Sequence, residues 1–350
     1  MKNRIQILDC TLRDGGLCLE DANKNGISTR LFNKDMVERT IHLFCETKID
    51  IVELGSIEKS DSDKTGYAVY QSIEEVSKHM SQNRCLEQMY AALYRGPDTP
   101  IEDIPEWNPS LCEAVRVIIR YSELQKSIDF CRALAKKGYK VFVQPMLTMR
   151  YTEDELQMLI DAANDMNAYA LYFVDSYGYM LGHDIERLFN RFNQGLDKAI
   201  RIGFHAHNNM NMAFANVLKF IEISGDRDII IDSCASGMGQ GAGNLQTEII
   251  VSYLNVVNGE KYNYNSVLDI CDIIQNYNQN NLWGYTVERF ISAQQRAAYK
   301  YAVALRNQHK MTFSEINNLL GLLSVDMKHR YTEDNIRNLL DQSKEIINKV

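Results

Sequence analysis

Eight short apolar or β-branched runs recur along this chain with helix-like stretches between them, and that alternation confines it to folds built on a parallel sheet. The runs are IQILDCT (5–11), IDIVELGS (49–56), CLEQMYAALY (85–94), AVRVIIRY (114–121), KVFVQPML (140–147), ALYFVDSYG (170–178), AIRIGFHAHN (199–208) and DIIIDSCASG (228–237). Among the intervening segments, DMVERTIHLFCETK, LQKSIDFCRALAKKG, EDELQMLIDAANDMN and AFANVLKFIEISG place apolar residues three and four apart, as helices packed on a sheet do. Eight such units predict a closed (β/α)8 TIM barrel. An open doubly wound sheet would have fewer strands and a glycine turn after the first of them, whereas GMGQGAGN (237–244) follows the last.

Past residue 260 the strand signals stop. NSVLDICDIIQNYNQ, VERFISAQQRAAYKYAVALR, FSEINNLLGLL and EDNIRNLLDQSKEIINKV all read as helices, so the expected organisation is a barrel over 1–260 and a helical C-terminal domain over 261–350. No Pro-, Gly- or Ser-rich linker separates the two, which predicts that they pack together. The net charge of −8 argues against a nucleic-acid partner, and the longest apolar run is too short to span a bilayer. Eight cysteines without a CxxC pair, behind a start that enters a strand pattern at once, point to a reducing cytoplasm.

Only seven histidines occur, and two of them, His205 and His207, sit one residue apart in the seventh run. Residues two apart in a strand face the same way, so both imidazoles project from the strand's carboxyl end, where barrel chemistry is done. They can share a divalent ion, with a carboxylate from another strand end completing the set. TLRDGG after the first strand offers Asp14, with Arg13 beside it and two glycines read as a flexible stretch. The bland alternative for the histidines alone is a hydrogen-bonded surface pair.

These residues resemble the metal-dependent aldolases, lyases and Claisen synthases of the DRE-TIM metallolyase superfamily, over roughly residues 4–258 and most specifically in LDCTLRDGG, GFHAHNNMNMAFAN and GMGQGAGNLQTE. The resemblance implies that Asp14, His205, His207 and Asn244 hold a divalent ion, with Mn²⁺ or Mg²⁺ favoured over Zn²⁺ or Co²⁺. It makes Arg13 the cation for an enolate oxygen and Glu53 its strand-two partner, against the plainer reading of a salt bridge tying two strands. The tail, with WGYTVERF, looks most like the 4-hydroxy-2-oxovalerate aldolase branch, whose C-terminal helices cover the barrel mouth. That branch implies a 2-oxo acid such as pyruvate and an aldehyde as substrates, a homo-oligomer, and a partner dehydrogenase. The alternatives are a Claisen-type synthase acting on acyl-CoA and a metal-binding barrel without catalysis.

Arg120 and Gln144, at the ends of strands four and five, are candidate substrate contacts, as are Gly241 and Gly243 in a loop whose amides could receive an anion or merely turn the chain. Two departures matter. The branch carries a histidine base four residues after the arginine, where this chain has Leu17, and a leucine moves no proton. Carboxyltransferases of the same barrel use a lysine at the end of strand six, where this chain has Val174 and Asp175, so carboxyl transfer is rejected.

Overall fold

The computed structural model of the protein describes residues 5–82 and 87–347. Positions 85 and 86, which open the third apolar run, and 348–350, at the end of the last helical segment, lie outside the described residues. The eight runs form eight strands: β1 (Ile5–Asp9), β2 (Ile51–Ile57), β3 (Met89–Tyr94), β4 (Ala114–Ile119), β5 (Lys140–Pro145), β6 (Ala170–Asp175), β7 (Arg201–Ala206) and β8 (Ile229–Ser233). Each pairs in parallel with the next in sequence. The ring closes where β8 pairs β1 from Ile5↔Ile229 to Asp9↔Ser233. Helices cover the outside and side chains fill the inside, so both faces of every strand are dry; continuous apolar runs, without polar alternation, follow from that.

TLRDGG departs from expectation. It is not a flexible stretch but the first turns of a helix, Thr11–Lys24. The glycines serve close packing: a Cβ on Gly16 would lie 1.8 Å from the carbonyl oxygen of Tyr67, and one on Gly15 would lie 2.4 Å from Met238 Sδ. The helix entry is thereby pressed against the barrel, which fixes Arg13 and Asp14 at its inner end.

The barrel's core runs on through Tyr262, Val267, Ile270 and Ile274 as far as Trp283, so helix Tyr264–Gln275 packs as part of the barrel wall. A second core, around Tyr301, Leu305, Ile316, Leu320, Ile336 and Leu339, begins at Ile291. VERFISAQQRAAYKYAVALR forms two helices, Val287–Gln294 and Lys300–Asn307; Arg296 takes φ 55° just past the end of the first. A short helix, Val325–His329, was not anticipated; Ser324 caps it by accepting from the Met327 N–H. The tail is tied to the mouth of the barrel by named contacts. Tyr299 donates to Asp21 Oδ2 at 2.6 Å, Lys300 pairs with the same carboxylate, Arg150 meets Asp326 at 2.9 Å, and the Tyr177 hydroxyl donates to the His329 carbonyl. Among the described residues no helix is long and apolar enough to cross a membrane.

Candidate active site and metal centre

The pleat of β7 sends His205 and His207 to the same side, as their spacing predicts, and their Nε2 atoms lie 3.3 Å apart. Asp14 Oδ2, from the helix after β1, is 3.6 Å from His205 Nε2. Ligand atoms of the three residues all fall within 4.8 Å of one another, and all three are buried. Asn244 reaches this group because its backbone bridges to His207; its Nδ2 donates to Asp14 Oδ2 at 2.5 Å and to the Met238 carbonyl at 2.9 Å. Asn244 Oδ1 is buried with no hydrogen-bond partner. A buried, unsatisfied amide oxygen costs free energy, and next to a carboxylate and two imidazoles it is what a cation would satisfy. The donor set therefore fits a divalent ion: oxygen and imidazole nitrogen, with room left for a chelating ligand.

Around this group the barrel interior carries a closed ring of charges. Arg13 contacts Asp14 through Nη1 at 2.6 Å and Glu53 through Nε at 2.8 Å, leaving Nη2 outside both contacts. Glu53 Oε2 also accepts from Arg116 Nη1 at 2.8 Å; Arg116 pairs with Asp232, and Asp232 Oδ2 lies 2.8 Å from His205 Nδ1. Asp232 thus holds one ring nitrogen of His205 and turns the other toward Asp14 and His207, the arrangement in which a carboxylate orients a metal-ligating histidine. Arg116 and Glu53 are wholly buried.

Burial disfavours a charged His205, but the hydrogen bond and negative charge of Asp232, with Cys10 adding, outweigh it and raise the pKa to about 10. Burial and the neighbouring His205 charge lower His207 to about 4. Burial alone would raise Asp14, yet Arg13 and the two histidines pull it down to about 2. A histidine raised from 6.5 to about 10 on folding stabilises fully below about pH 6.5, and that contribution is lost as pH rises through 10. In chelator-treated protein, His205→Gln is expected to lower the melting temperature most near pH 6 and progressively less toward pH 10; a deficit that grew with pH would contradict a protonated His205.

The mouth of the barrel holds a cavity of about 330 Å³. Arg13, Asp14, His205, His207, Gln144 and Leu17 line its floor and sides, and Tyr299, Lys300, His329, Arg330 and Tyr331 of the tail line it too. Gln144 has a buried Nε2 without a partner, so an amide donor stands ready beside the site. Three other candidates are not brought there. Arg120 is not among the lining residues: its guanidinium is held at the rim by Asp98, by Glu123 at 3.0 Å and by the Arg95 carbonyl at 2.9 Å. Gly241 and Gly243 do not line it either, although Gln240 does. Both adopt left-handed φ, and a Cβ on Gly243 would meet the Gly237 carbonyl oxygen at 1.9 Å. The amides of Ala242, Gly243 and Asn244 are already donated to Asn209 Oδ1, Gln240 O and Gly237 O, so Gly243 serves the turn of the chain.

Arg116 and Asp232 join the charged ring around the cluster, and the sequence reading passed over both. Their signal was present: a charge in the middle of AVRVIIRY or DIIIDSCASG has no exit from a strand dry on both faces and must find a partner inside. The tail residues of the cavity carried no such signal, because nothing in their local pattern says which helix end meets the barrel.

The HMGL-like family model matches residues 4–278 of this chain. A 4-hydroxy-2-oxovalerate aldolase from Geobacillus genomosp. 3 is 26% identical over 256 residues, covering 73% of this chain and 71% of that protein. A second, from Carboxydothermus hydrogenoformans, is 26% identical over 280 residues, covering 78% and 76%. Among solved structures, the N-terminal domain of a proposed aldolase from Bacteroides vulgatus shares the fold with a TM-score of 0.73 at 24% identity, over 89% of this chain and 99% of that one.

Proposed function

The chain belongs to the HMGL-like family, a family of carbon–carbon lyases and aldolases that generally work with a divalent metal, and from that premise we propose that it makes or breaks a carbon–carbon bond through the enolate of pyruvate or a close 2-oxo acid, with an aldehyde as second substrate. The observation that carries the reading is one cavity holding a buried two-histidine, one-aspartate cluster next to an arginine whose Nη2 is left outside its ion pairs. In this reading Asp14, His205 and His207, with Asn244, hold the ion. When bound, Mn²⁺ or Mg²⁺, or Zn²⁺ or Co²⁺ in their stead, would supply a Lewis acid that polarises the carbonyl of the 2-oxo acid.

The protein's own residues do the rest. Arg13 receives the negative charge that develops on the keto oxygen; Glu53 and Asp14 hold its planar fork in one orientation, so no reorganisation is needed as charge appears. Gln144 offers its unpartnered Nε2 to a substrate oxygen. The tail residues over the mouth keep water from the enolate and meet the aldehyde.

The test uses the half-reaction that any aldehyde partner leaves unchanged. With Mn²⁺ or Mg²⁺ in deuterated water, the protein is expected to exchange the methyl protons of pyruvate, and chelator should stop it. Absence of exchange into pyruvate and close 2-oxo acids with every one of the four metals would discard the reading in favour of an acyl-CoA substrate or a barrel without catalysis.

A further inference from the structure

We infer that His329, carried by the helical tail, is the proton carrier of this site. The inference rests on the lyase reading above. In enolate formation the C3–H bond of the 2-oxo acid breaks, its proton goes to a ring nitrogen of His329, and the electron pair moves into the C2–C3 bond with charge on the C2 oxygen at Arg13; reversal returns the proton. In cleavage the ring takes the proton of the substrate hydroxyl, the carbon–carbon bond breaks to release the aldehyde, and the imidazolium protonates C3 of the enolate, which leaves the ring neutral again.

His329 lines the same cavity as Arg13, Asp14, His205 and His207. Leu17 lines it too, at the position where the resembled aldolases have their histidine, so a base is missing from the barrel side. The other titratable groups around the cavity are committed elsewhere. The hydroxyls of Tyr177, Tyr299 and Tyr331 donate to the His329 carbonyl, Asp21 and Glu333, and burial pushes all three phenols above their usual range. Lys300 is paired with Asp21, and His205 and His207 face each other and Asp14. His329 differs: its Nδ1 is buried without a hydrogen-bond partner among the described residues.

The surroundings of the ring also suit a base. Burial, and next the positive charge of Arg150 from the segment after β5, lower its pKa from 6.5. On its own helix Lys328 acts in the same direction and Asp326 opposes both, but Asp326 is itself paired to Arg150 at 2.9 Å. The ring is thus neutral at neutral pH and free to accept. It is also held over the mouth, since Tyr177 bonds the His329 carbonyl and Tyr301 Oη lies 2.8 Å from the carbonyl of Arg330. A carrier placed on the tail delivers and withdraws its proton from the mouth of the barrel.

The test compares wild type, His329→Ala and His329→Gln in pyruvate exchange with Mn²⁺ in deuterated water, with metal stoichiometry measured on each. Loss of a positioned general base typically costs about 10²-fold to 10⁴-fold. Exchange is expected to fall by at least about 10²-fold in both variants with the metal retained, and the acid limb of the wild-type pH profile should vanish. Added imidazole should restore part of the rate in His329→Ala, and Leu17→His in that background should do the same by putting a ring back on the barrel side. If wild type exchanges and His329→Ala exchanges within about twofold of it, another group carries the proton. A loss with an unaltered pH profile and no rescue would equally overturn the inference, since that is a merely structural effect. A wild type inert toward every 2-oxo acid and metal would instead strike at the lyase reading itself.

Discussion

Arg13→Ala should slow the exchange of pyruvate methyl protons by about 10²-fold to 10³-fold, the usual cost of removing one preorganised donor from a developing oxyanion. The fold should survive, because Glu53 keeps its contact with Arg116 when Arg13 is gone. Metal stoichiometry is expected to hold, because none of the ligand atoms belongs to Arg13. Arg13→Lys should recover only part of the rate: an ammonium keeps the charge but cannot reach Asp14 and Glu53 together while presenting a third donor in the same plane. An Arg13→Ala protein that exchanges at the wild-type rate with its metal in place would remove the guanidinium from the chemistry.

Arg116→Met is the matching experiment on stability. Arg116 is fully buried and joins Glu53 to Asp232, so methionine leaves two carboxylates in the barrel with fewer partners. Breaking a buried ion pair from one side typically costs about 3–5 kcal/mol. The denaturant midpoint of Arg116→Met should fall by a corresponding amount, and Glu53→Gln in the same chain should recover part of it by removing one of the stranded charges. Asp232 is held below the usual carboxylate range against burial, chiefly by Arg116. Its contribution is therefore present above the unfolded carboxylate pKa and lost as pH falls through the folded one. The variant's deficit is expected to shrink in acid. A midpoint unchanged by Arg116→Met would mean that the ring stores little of the barrel's stability.

The barrel was legible because its cause is local: a strand dry on both faces must be a short apolar run, and seven of the eight runs contain their strand, the second strand passing its run by one residue at Ile57. The face shared by His205 and His207 was legible for the same reason, since alternation along a strand is fixed by the backbone. Other features depended on contacts between segments far apart in sequence. Gly15 and Gly16 look like a loop until Tyr67 and Met238 come against them. The break at Arg296 interrupts a pattern that is helical on both sides, and only the packing of Tyr301 and Leu305 in the second core gives it a purpose. Arg120 outranked Arg116 in the sequence because a strand end is where barrel chemistry is done; the acidic rim residues Asp98 and Glu123, which claim it, stand 22 residues before and three after it. His329 is separated from Tyr177 by 152 residues, and no periodicity connects them.

The closed ring of charges has a consequence for what the site can admit. Asp14, Glu53 and Asp232 are opposed by Arg13 and Arg116, so the fixed ion pairs of the interior sum to a single negative charge. A dication would turn that into a single positive charge in a region of low dielectric, where an uncompensated charge is costly. A ligand carrying one carboxylate restores neutrality, whereas an uncharged ketone of the same shape leaves the excess in place and a dianion overshoots it. On the proposed function, the interior is expected to select by electroneutrality before it selects by shape: ion and monoanion should enter as a pair, each binding more tightly when the other is present.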